Sequence, residues 1–319
     1  MSYAELAQHA ARIEELAIQE SLKQKGWADR GNGDIRAPGD LTELGAQQIV
    51  QMTQQEFTGT AEMFVPFLHM PEPTALQSTY EVLQMAKFSL ARSPQGSTDP
   101  VTKEVIHANP EMNRMDGVPL TLTDWHGFAA EEFKTRFLQP WPAVAANQFA
   151  LVATLAGAIR AEQALWEECR NNVDDIAHKA IKALEVMEES GTKEQVCLLT
   201  VASSVFAVAA ALATAGGGAA IALTVAGATA QAAGGVPRED DPKVEFDGQT
   251  PQDILRQVQV ALNTLADVVN RKEREIADAM LASTASLAAN RSIFVSPRPA
   301  LADQSASTIT TQNGLGEVP

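Results

Sequence analysis

The chain has 319 residues, a formal net charge of −16 at pH 7, and an apolar content of 45% that includes only 5% aromatic residues. A protein this acidic has no basic patch with which to displace counterions from phosphates, so nucleic acid is excluded as a partner. The same charge disfavours attraction to an anionic membrane surface. Much of the apolar content is Ala, Val and Leu, which favours close-packed helices.

The N-terminal segment, residues 1–40, is predicted to be one helix followed by a linker. Apolar residues at helical spacing place the helix at 2–25, and Gly26 ends it. The glycines and acidic residues of 31–34 are typical of a turn. Met1–Glu20 has mixed charge and lacks the apolar core of a cleavable signal peptide, so export would require a route that accepts leaderless cargo.

Residues 41–190 are predicted to be the principal helical region. Its first helix runs from Asp40, whose carboxylate can cap the helix, to Phe67. Its second runs from Thr74 to Leu90 with apolar residues and Lys87 along one face. Residues 93–122 then form a long, proline-bearing loop.

The longest predicted element follows that loop. Apolar residues recur at spacings of mostly three and four from Trp125 to Met187, which predicts a long amphipathic helix with a buried stripe. Pro140 and Pro142 must break or kink it, because proline lacks a backbone donor. The unbroken part, residues 143–189, would be roughly 70 Å long.

The segment between Glu194 and Arg238 contains no charged residue. Its Ala/Gly-rich composition predicts a second, apolar helical hairpin over 191–237. Two interpretations stay open: small-residue helices pack closely in a soluble core, and an uncharged span of this length could cross a membrane twice.

An acidic linker at 238–250 precedes a C-terminal helix at 251–292, which Thr250 caps and Pro251 begins. The polar tail, 293–319, is predicted to be disordered. No segment shows convincing strand alternation. The predicted fold class is therefore all-α, an elongated helical bundle built around a long helical hairpin.

The sequence gives no catalytic signal. Asp174 and Asp175 stand at helical spacing from His178, but a di-iron bundle needs a second such set and none is present. Cys169 and Cys197 are interpreted as small buried residues rather than a disulfide. We therefore expect a protein that is not an enzyme and that uses neither a cofactor nor a metal.

One local motif has a structural meaning, the Trp125-His126-Gly127 turn. A tryptophan that enters a helix and is followed two residues later by glycine suits a tight turn between helices, in which glycine admits a neighbouring backbone and the indole covers the end of the apolar stripe. The alternative is that Trp and Gly fall near a helix start by chance. The candidate interaction residues are Trp125, Gly127, Ala130, Phe133, Phe137, Trp141 and Trp166.

The run from Trp125-x-Gly127 through Ala130 and Phe133 resembles the turn of the WXG100/ESAT-6-like superfamily, in particular its larger actinobacterial members. The resemblance implies a non-catalytic helix-turn-helix cargo or structural subunit of a type VII (ESX) secretion system, usually dimeric. The family's export signal, Tyr-x-x-x-Asp/Glu after the second helix, is missing, since Tyr3 and Tyr80 both precede the turn.

The resulting functional hypothesis is a secretion substrate or secretion-associated component that acts by helix–helix packing. Its expected partner is another helical protein or a second copy of itself, with a secretion chaperone or ATPase as a further candidate. The expected location is secreted or in the cell envelope by a leaderless route, with the cytoplasm as the alternative. The competing function is a membrane-active or pore-forming protein that inserts residues 195–235.

Overall fold

The fold is all-α, as predicted. A computed structural model describes residues 3–29, 35–92, 95–187, 195–198, 243–246, 248–297, 305 and 307. The α-helices in these ranges are α1 (Leu6–Gln24), α2 (Glu43–Phe57), α3 (Gln77–Leu90), α4 (Pro110–Thr121), α5 (Phe128–Phe133), α6 (Trp141–Glu185) and α7 (Pro251–Ala289). Single 3-10 turns are Tyr3–Glu5, Ala61–Phe67, Pro73–Leu76 and Arg291–Ile293, and Lys134–Leu138 is a π turn.

Three short antiparallel strand pairs accompany the helices. They are β1 (Ala28–Asp29) with β2 (Ile35–Arg36), β3 (Ser97–Thr98) with β4 (Val105–Ile106), and β5 (Gln195–Leu198) with β6 (Lys243–Phe246).

The chain divides into two compact units, each assembled from three separate stretches, and α6 and α7 contribute residues to both. The first unit comprises Met1–Pro73, Ala164–Ala202 and Gly235–Lys272; the second comprises Thr74–Gln163, Ser203–Gly234 and Glu273–Pro319.

Helix α1 has a well-buried apolar face in the first unit. Leu6, Ala10, Ile13 and Ala17 recur at helical spacing and are almost completely buried. The helix ends where Gly26 takes a φ of +89°, which residues with a Cβ rarely adopt. The predicted helix and its glycine stop are confirmed.

A polar network in the same unit ties the start of the chain to α6. Tyr3 Oη donates a hydrogen bond of 2.6 Å to the carbonyl of Phe67. The Arg170 guanidinium lies 4.5 Å from the centre of the Tyr3 ring, and its Nη2 donates to the carbonyl of Met70 at 2.9 Å. Its Nη1 pairs with Glu72 at 2.6 Å. One arginine therefore holds the N-terminus and the Met70–Glu72 connection against the long helix.

In the second unit α6 and α7 run antiparallel. Asn147 and Gln148, near the start of α6, donate hydrogen bonds of 3.0 and 2.7 Å to the carbonyls of Ile293 and Phe294, just beyond the end of α7.

The predicted apolar stripe is buried along most of α6. Its buried members are Val144, Phe149, Leu165, Cys169, Val173, Ile176, Ala177, Ala180, Ile181 and Leu184. Trp125, placed first in that stripe, is instead 39% exposed. The helix ends at Glu185, a few residues before the predicted end at 189, and residues 188–194 lie outside the described ranges.

Several helix boundaries differ from the prediction, and α2 ends at Phe57 rather than at Phe67. Asp40 does not cap α2; the cap is Thr42, whose Oγ1 accepts from the backbone N–H of Gly45 at 3.2 Å. The predicted loop at 93–122 contains the β3–β4 pair and α4. Helix α4 starts with Asn109, whose Oδ1 accepts from the N–H of Glu111 at 3.0 Å, and with a proline at its first position.

The predicted helical hairpin over 191–237 is wrong for the part of it that is described, since Gln195–Leu198 is strand β5. Its partner β6 lies within the predicted acidic linker, where Lys243-Val-Glu-Phe246 alternates charged and apolar residues as strands do. Residues 199–242 lie outside the described ranges, so the apolar hairpin and its membrane alternative stay predictions. The predicted cap of α7 is confirmed, because Thr250 Oγ1 accepts from the N–H of Asp253 at 3.2 Å.

Candidate functional site: an aromatic ladder at the Trp-His-Gly turn

Four of the predicted interaction residues form a continuous row of rings in the second unit. Ring centroids are 5.6 Å apart between Trp125 and Phe133, 5.2 Å between Phe133 and Phe137, and 5.7 Å between Phe137 and Trp141. The last two pairs are stacked, with interplanar angles of 24° and 28°. We call these four residues the aromatic ladder. Spacings of this kind stabilise aromatic pairs beyond their buried area.

The turn that begins the ladder requires glycine for its backbone torsion. Gly127 has a φ of +100° and its carbonyl accepts from the N–H of Glu131 at 3.0 Å, which starts α5. A Cβ at Gly127 would meet no atom of the described residues within 4 Å. The positive φ therefore explains this glycine, whereas the predicted approach of a neighbouring backbone has no counterpart among the described residues.

The π turn Lys134–Leu138 places the rings of the ladder in line. The N–H of Gln139 donates to the carbonyl of Lys134 at 2.9 Å, a bond that spans five residues instead of four. Residues four apart drift about 40° around an α-helix, and the wider turn offsets that drift between Phe133 and Trp141. The α pattern resumes after Pro140, which has no backbone N–H to donate, when Val144 donates to the Pro140 carbonyl at 3.0 Å.

The ladder is partly open to solvent, whereas the residue beside it is not. Trp125 is exposed, and Phe133, Phe137 and Trp141 are half-buried, while Ala130 is fully buried. The indole Nε1 of Trp141 is buried and has no hydrogen-bond partner among the described residues. The ladder is thus anchored on its inner side and leaves ring surface available on its outer side.

Trp166 lies half-buried in the part of α6 that falls in the first unit, whereas the ladder falls in the second. Its assignment as an interaction residue stays a prediction.

Sequence reasoning missed a second polar feature, a buried ion pair in the second unit. Lys87 Nζ lies 2.6 Å from Asp99 Oδ2, and the two side chains are 2% and 1% exposed. The other carboxylate oxygen, Oδ1, accepts from the N–H groups of Val101 at 2.7 Å and Thr102 at 3.0 Å. Burial raises the pKa of Asp99, but the Lys87 hydrogen bond and the two backbone donors outweigh it and hold that pKa below its usual value.

The signals for this pair were present in the sequence. Lys87 stood on the predicted apolar face of its helix, and a lysine that is buried there needs a partner. Asp99-Pro100 is a dipeptide typical of a turn whose aspartate accepts from the following N–H groups. The pairing itself depends on how the hairpin folds back onto α3.

Asp174, which was weighed with Asp175 and His178 as a possible metal-ligand set, lies beside a histidine of another helix. Asp174 Oδ1 lies 3.3 Å from Nδ1 of His9 on α1. In the described ranges no group of three or more His, Cys, Asp or Glu side chains is arranged to hold a metal ion. Cys169 is buried and is not part of a disulfide, and its Sγ lies 3.2 Å from Met70 Sδ; the side chain of Cys197 lies outside the described residues.

Among the described residues one helical segment, Phe128–Glu185, is long and apolar enough to cross a membrane by length and composition, with 50% of its most apolar window buried inside the protein. The core helix of a soluble protein meets the same criteria. No protein-family model matches the chain, and no curated protein or solved structure shows a significant match to it.

Proposed function

We propose that this chain is a non-catalytic helical interaction protein, a substrate or structural component of a type VII secretion system, that binds its partner through the aromatic ladder. The single observation that carries this proposal is the half-exposed row of four rings that starts at Trp125, two residues before the positive-φ Gly127. The resemblance of this turn to the WXG100 superfamily supplies the secretion context.

The spacing of the ladder favours a helix as the partner. Its centroid distances, 5.2 to 5.7 Å, are close to the pitch of an α-helix, about 5.4 Å. A helix lying alongside would present one apolar side chain to each gap between rings, as in recognition of an amphipathic helix by an apolar groove. Aromatic residues also dominate the energetic centres of protein interfaces.

The position of the π turn supports a functional rather than a purely structural role. Widened turns weaken helical hydrogen-bond geometry and occur often at functional sites. Here the turn aligns Phe133, Phe137 and Trp141 on a surface that is not fully covered. Partner binding by the ladder would therefore give the irregular π turn a function.

Culture fractionation tests the secretion claim. The tagged chain is expressed in cells with and without a functional type VII ATPase, and the culture medium is compared with the cytosol. We expect the medium signal to depend on the ATPase. An equal, purely cytosolic signal in both strains contradicts the secretion role.

A ladder variant tests the interface. The double substitution Trp125→Gln/Phe133→Gln removes two rings without adding charge, and Leu44→Gln is the control, since Leu44 is a 69% exposed apolar side chain in the first unit. We expect the double variant to lose about tenfold or more in partner affinity or self-association, measured by sedimentation, while Leu44→Gln keeps both. Circular dichroism verifies that both variants fold. Unchanged association in a folded ladder variant overturns the interface.

A further inference from the structure

A cleft of about 180 Å³ lies in the second unit, where α3 and the β3–β4 loop face α6. Its wall on α6 is formed by side chains no larger than a methyl group: Ala153, Ala156, Gly157 and Ala161. Tyr80, Gln84 and Lys87 of α3 and Asp99, Val101 and Thr102 of the loop form the other wall, and exposed Arg160 stands at the rim.

The loop is fixed against this wall by specific contacts. A Cβ on Gly157 would lie only 2.8 Å from Cγ1 of Val101, so the glycine allows the valine to pack on the helix backbone. Val101 is in turn held by its N–H bond to Asp99 Oδ1, at 2.7 Å. The cleft is therefore a preformed feature of the fold rather than a gap between loose segments.

The polar groups that line the cleft are incompletely satisfied. An ammonium has three donors, and in the described part of the chain Lys87 Nζ donates only to Asp99, although the side chain is 2% exposed. Buried donors without an acceptor are costly, so the two remaining donors are available to an oxygen atom that enters the cleft, of a ligand or of water. The Tyr80 hydroxyl and the Gln84 amide also have no hydrogen-bond partner among the described residues.

The charges at the cleft select the class of ligand. Lys87 and Asp99 neutralise each other. Arg160 has one hydrogen bond, to the neutral Gln163 at 3.3 Å, which leaves a single uncompensated positive charge at the rim. The cleft thus combines an apolar wall, free donors and a net charge of one positive unit.

We propose that this cleft binds a compact amphipathic monocarboxylate, with its apolar body against the Ala153–Ala161 wall and its carboxylate held by Lys87 and the charge of Arg160. An apolar cavity of about 150 Å³ holds benzene, so this cleft has room for one ring and its carboxylate. The site is separate from the ladder and does not depend on the secretion role.

Calorimetric titration of the full chain with benzoate tests the proposal, with benzyl alcohol as the neutral analogue of the same shape and acetate as the carboxylate without a ring. We expect saturable benzoate binding with one site and a dissociation constant of about 1 mM or lower, and at least about tenfold weaker binding of the other two. A benzoate titration without saturation up to about 10 mM overturns the proposal.

Two variants locate the binding. Ala156→Leu fills the cleft and should abolish it, while Ala146→Leu, on the exposed side of the same helix, should not change it. Arg160→Gln changes an exposed side chain and leaves the fold intact, so it tests the binding site even if Ala156→Leu fails to fold. It should weaken benzoate by about tenfold and leave benzyl alcohol unchanged. Wild-type benzoate affinity in folded Ala156→Leu or in Arg160→Gln contradicts the assignment.

Discussion

Helix α1 of the first unit and helices α3 and α4 of the second unit bury their residues to very different extents. Helix α1 has nine buried residues along its length, whereas α2 of the same unit has two. In the second unit, α3 has one, the charged Lys87, and α4 has none. Apolar burial is the main stabilising force in folded proteins, so α3 and α4 contribute less of it than α1 does.

The exposed apolar residues show the same contrast. Of the twelve large apolar side chains that are exposed in the described ranges, eight lie in the second unit. They include Val82, Met85 and Phe88 on one side of α3, and Trp125 of the ladder. The comparison indicates that α1 is packed for stability, while the second unit presents more of the exposed apolar surface available for recognition.

Loss of the buried ion pair should be the most damaging change in the second unit. Lys87→Met keeps the length and apolar stem of the side chain but leaves the Asp99 carboxylate buried without its cation. We expect a loss of about 4 kcal/mol in the free energy of unfolding at pH 7, measured in urea. Lys182→Met, at an exposed lysine of α6, should change it by less than about 0.5 kcal/mol.

The pH dependence of this variant identifies the cause. The pKa of Asp99 is lowered in the wild type, so its stabilisation is present above the unfolded value of 3.8 and is lost as the pH falls through the folded value. In Lys87→Met the Asp99 carboxylate stays buried without its cation, so its pKa should be raised. The free energy of unfolding of this variant should therefore increase as the pH falls below 7. Parallel pH profiles for the two proteins would contradict the ion pair as the stabilising contact.

Truncation in α1 should have the next largest effect and tests the packing of the first unit. Ile13 is fully buried, and Ile13→Ala should cost about 3 kcal/mol. Val82→Ala, at a 59% exposed site on α3, should cost less than about 0.5 kcal/mol. Equal losses in the urea midpoints of the two variants would break the contrast between the units.

The elements that could be predicted from the sequence are those in which apolar periodicity coincides with a local stop or start signal. Helix α1 has both its periodic face and Gly26, and α7 has both its periodic face and the Thr250-Pro251 start. Helix α4 was missed because its start, Asn109-Pro110, precedes a sequence with little apolar periodicity. Strand β6 was missed because an alternating run of four residues lies in a segment interpreted as a linker.

The sites could be predicted less completely because they depend on tertiary geometry. Phe133, Phe137 and Trp141 stand four residues apart in the sequence, which indicates a shared face, but the π turn that aligns their rings has no simple sequence signature. The Lys87–Asp99 pair joins residues twelve positions apart through a hairpin that the sequence did not predict. Periodicity reports which side of a helix is covered, but not what covers it.

The smallest expected effect is a gain in the free energy of unfolding, obtained by removing a charge from the second unit instead of removing a stabilising contact. Burial, and then the charge of Glu162, raise the pKa of Glu273 above 4.5, so this carboxylate is destabilising once it ionises. The protein therefore keeps its full stability below the unfolded pKa of Glu273, where this carboxyl is protonated, and loses stability as the pH rises through the folded pKa.

Glu273→Gln should stabilise the protein by about 0.5 kcal/mol at pH 7, with little change near pH 4. Asp278→Asn, at an exposed site one turn farther along α7, provides the control. A gain confined to Glu273→Gln, measured by urea unfolding at the two pH values, would show that the second unit retains an unrelieved repulsion between α6 and α7; a loss would show that Glu273 makes a favourable contact there.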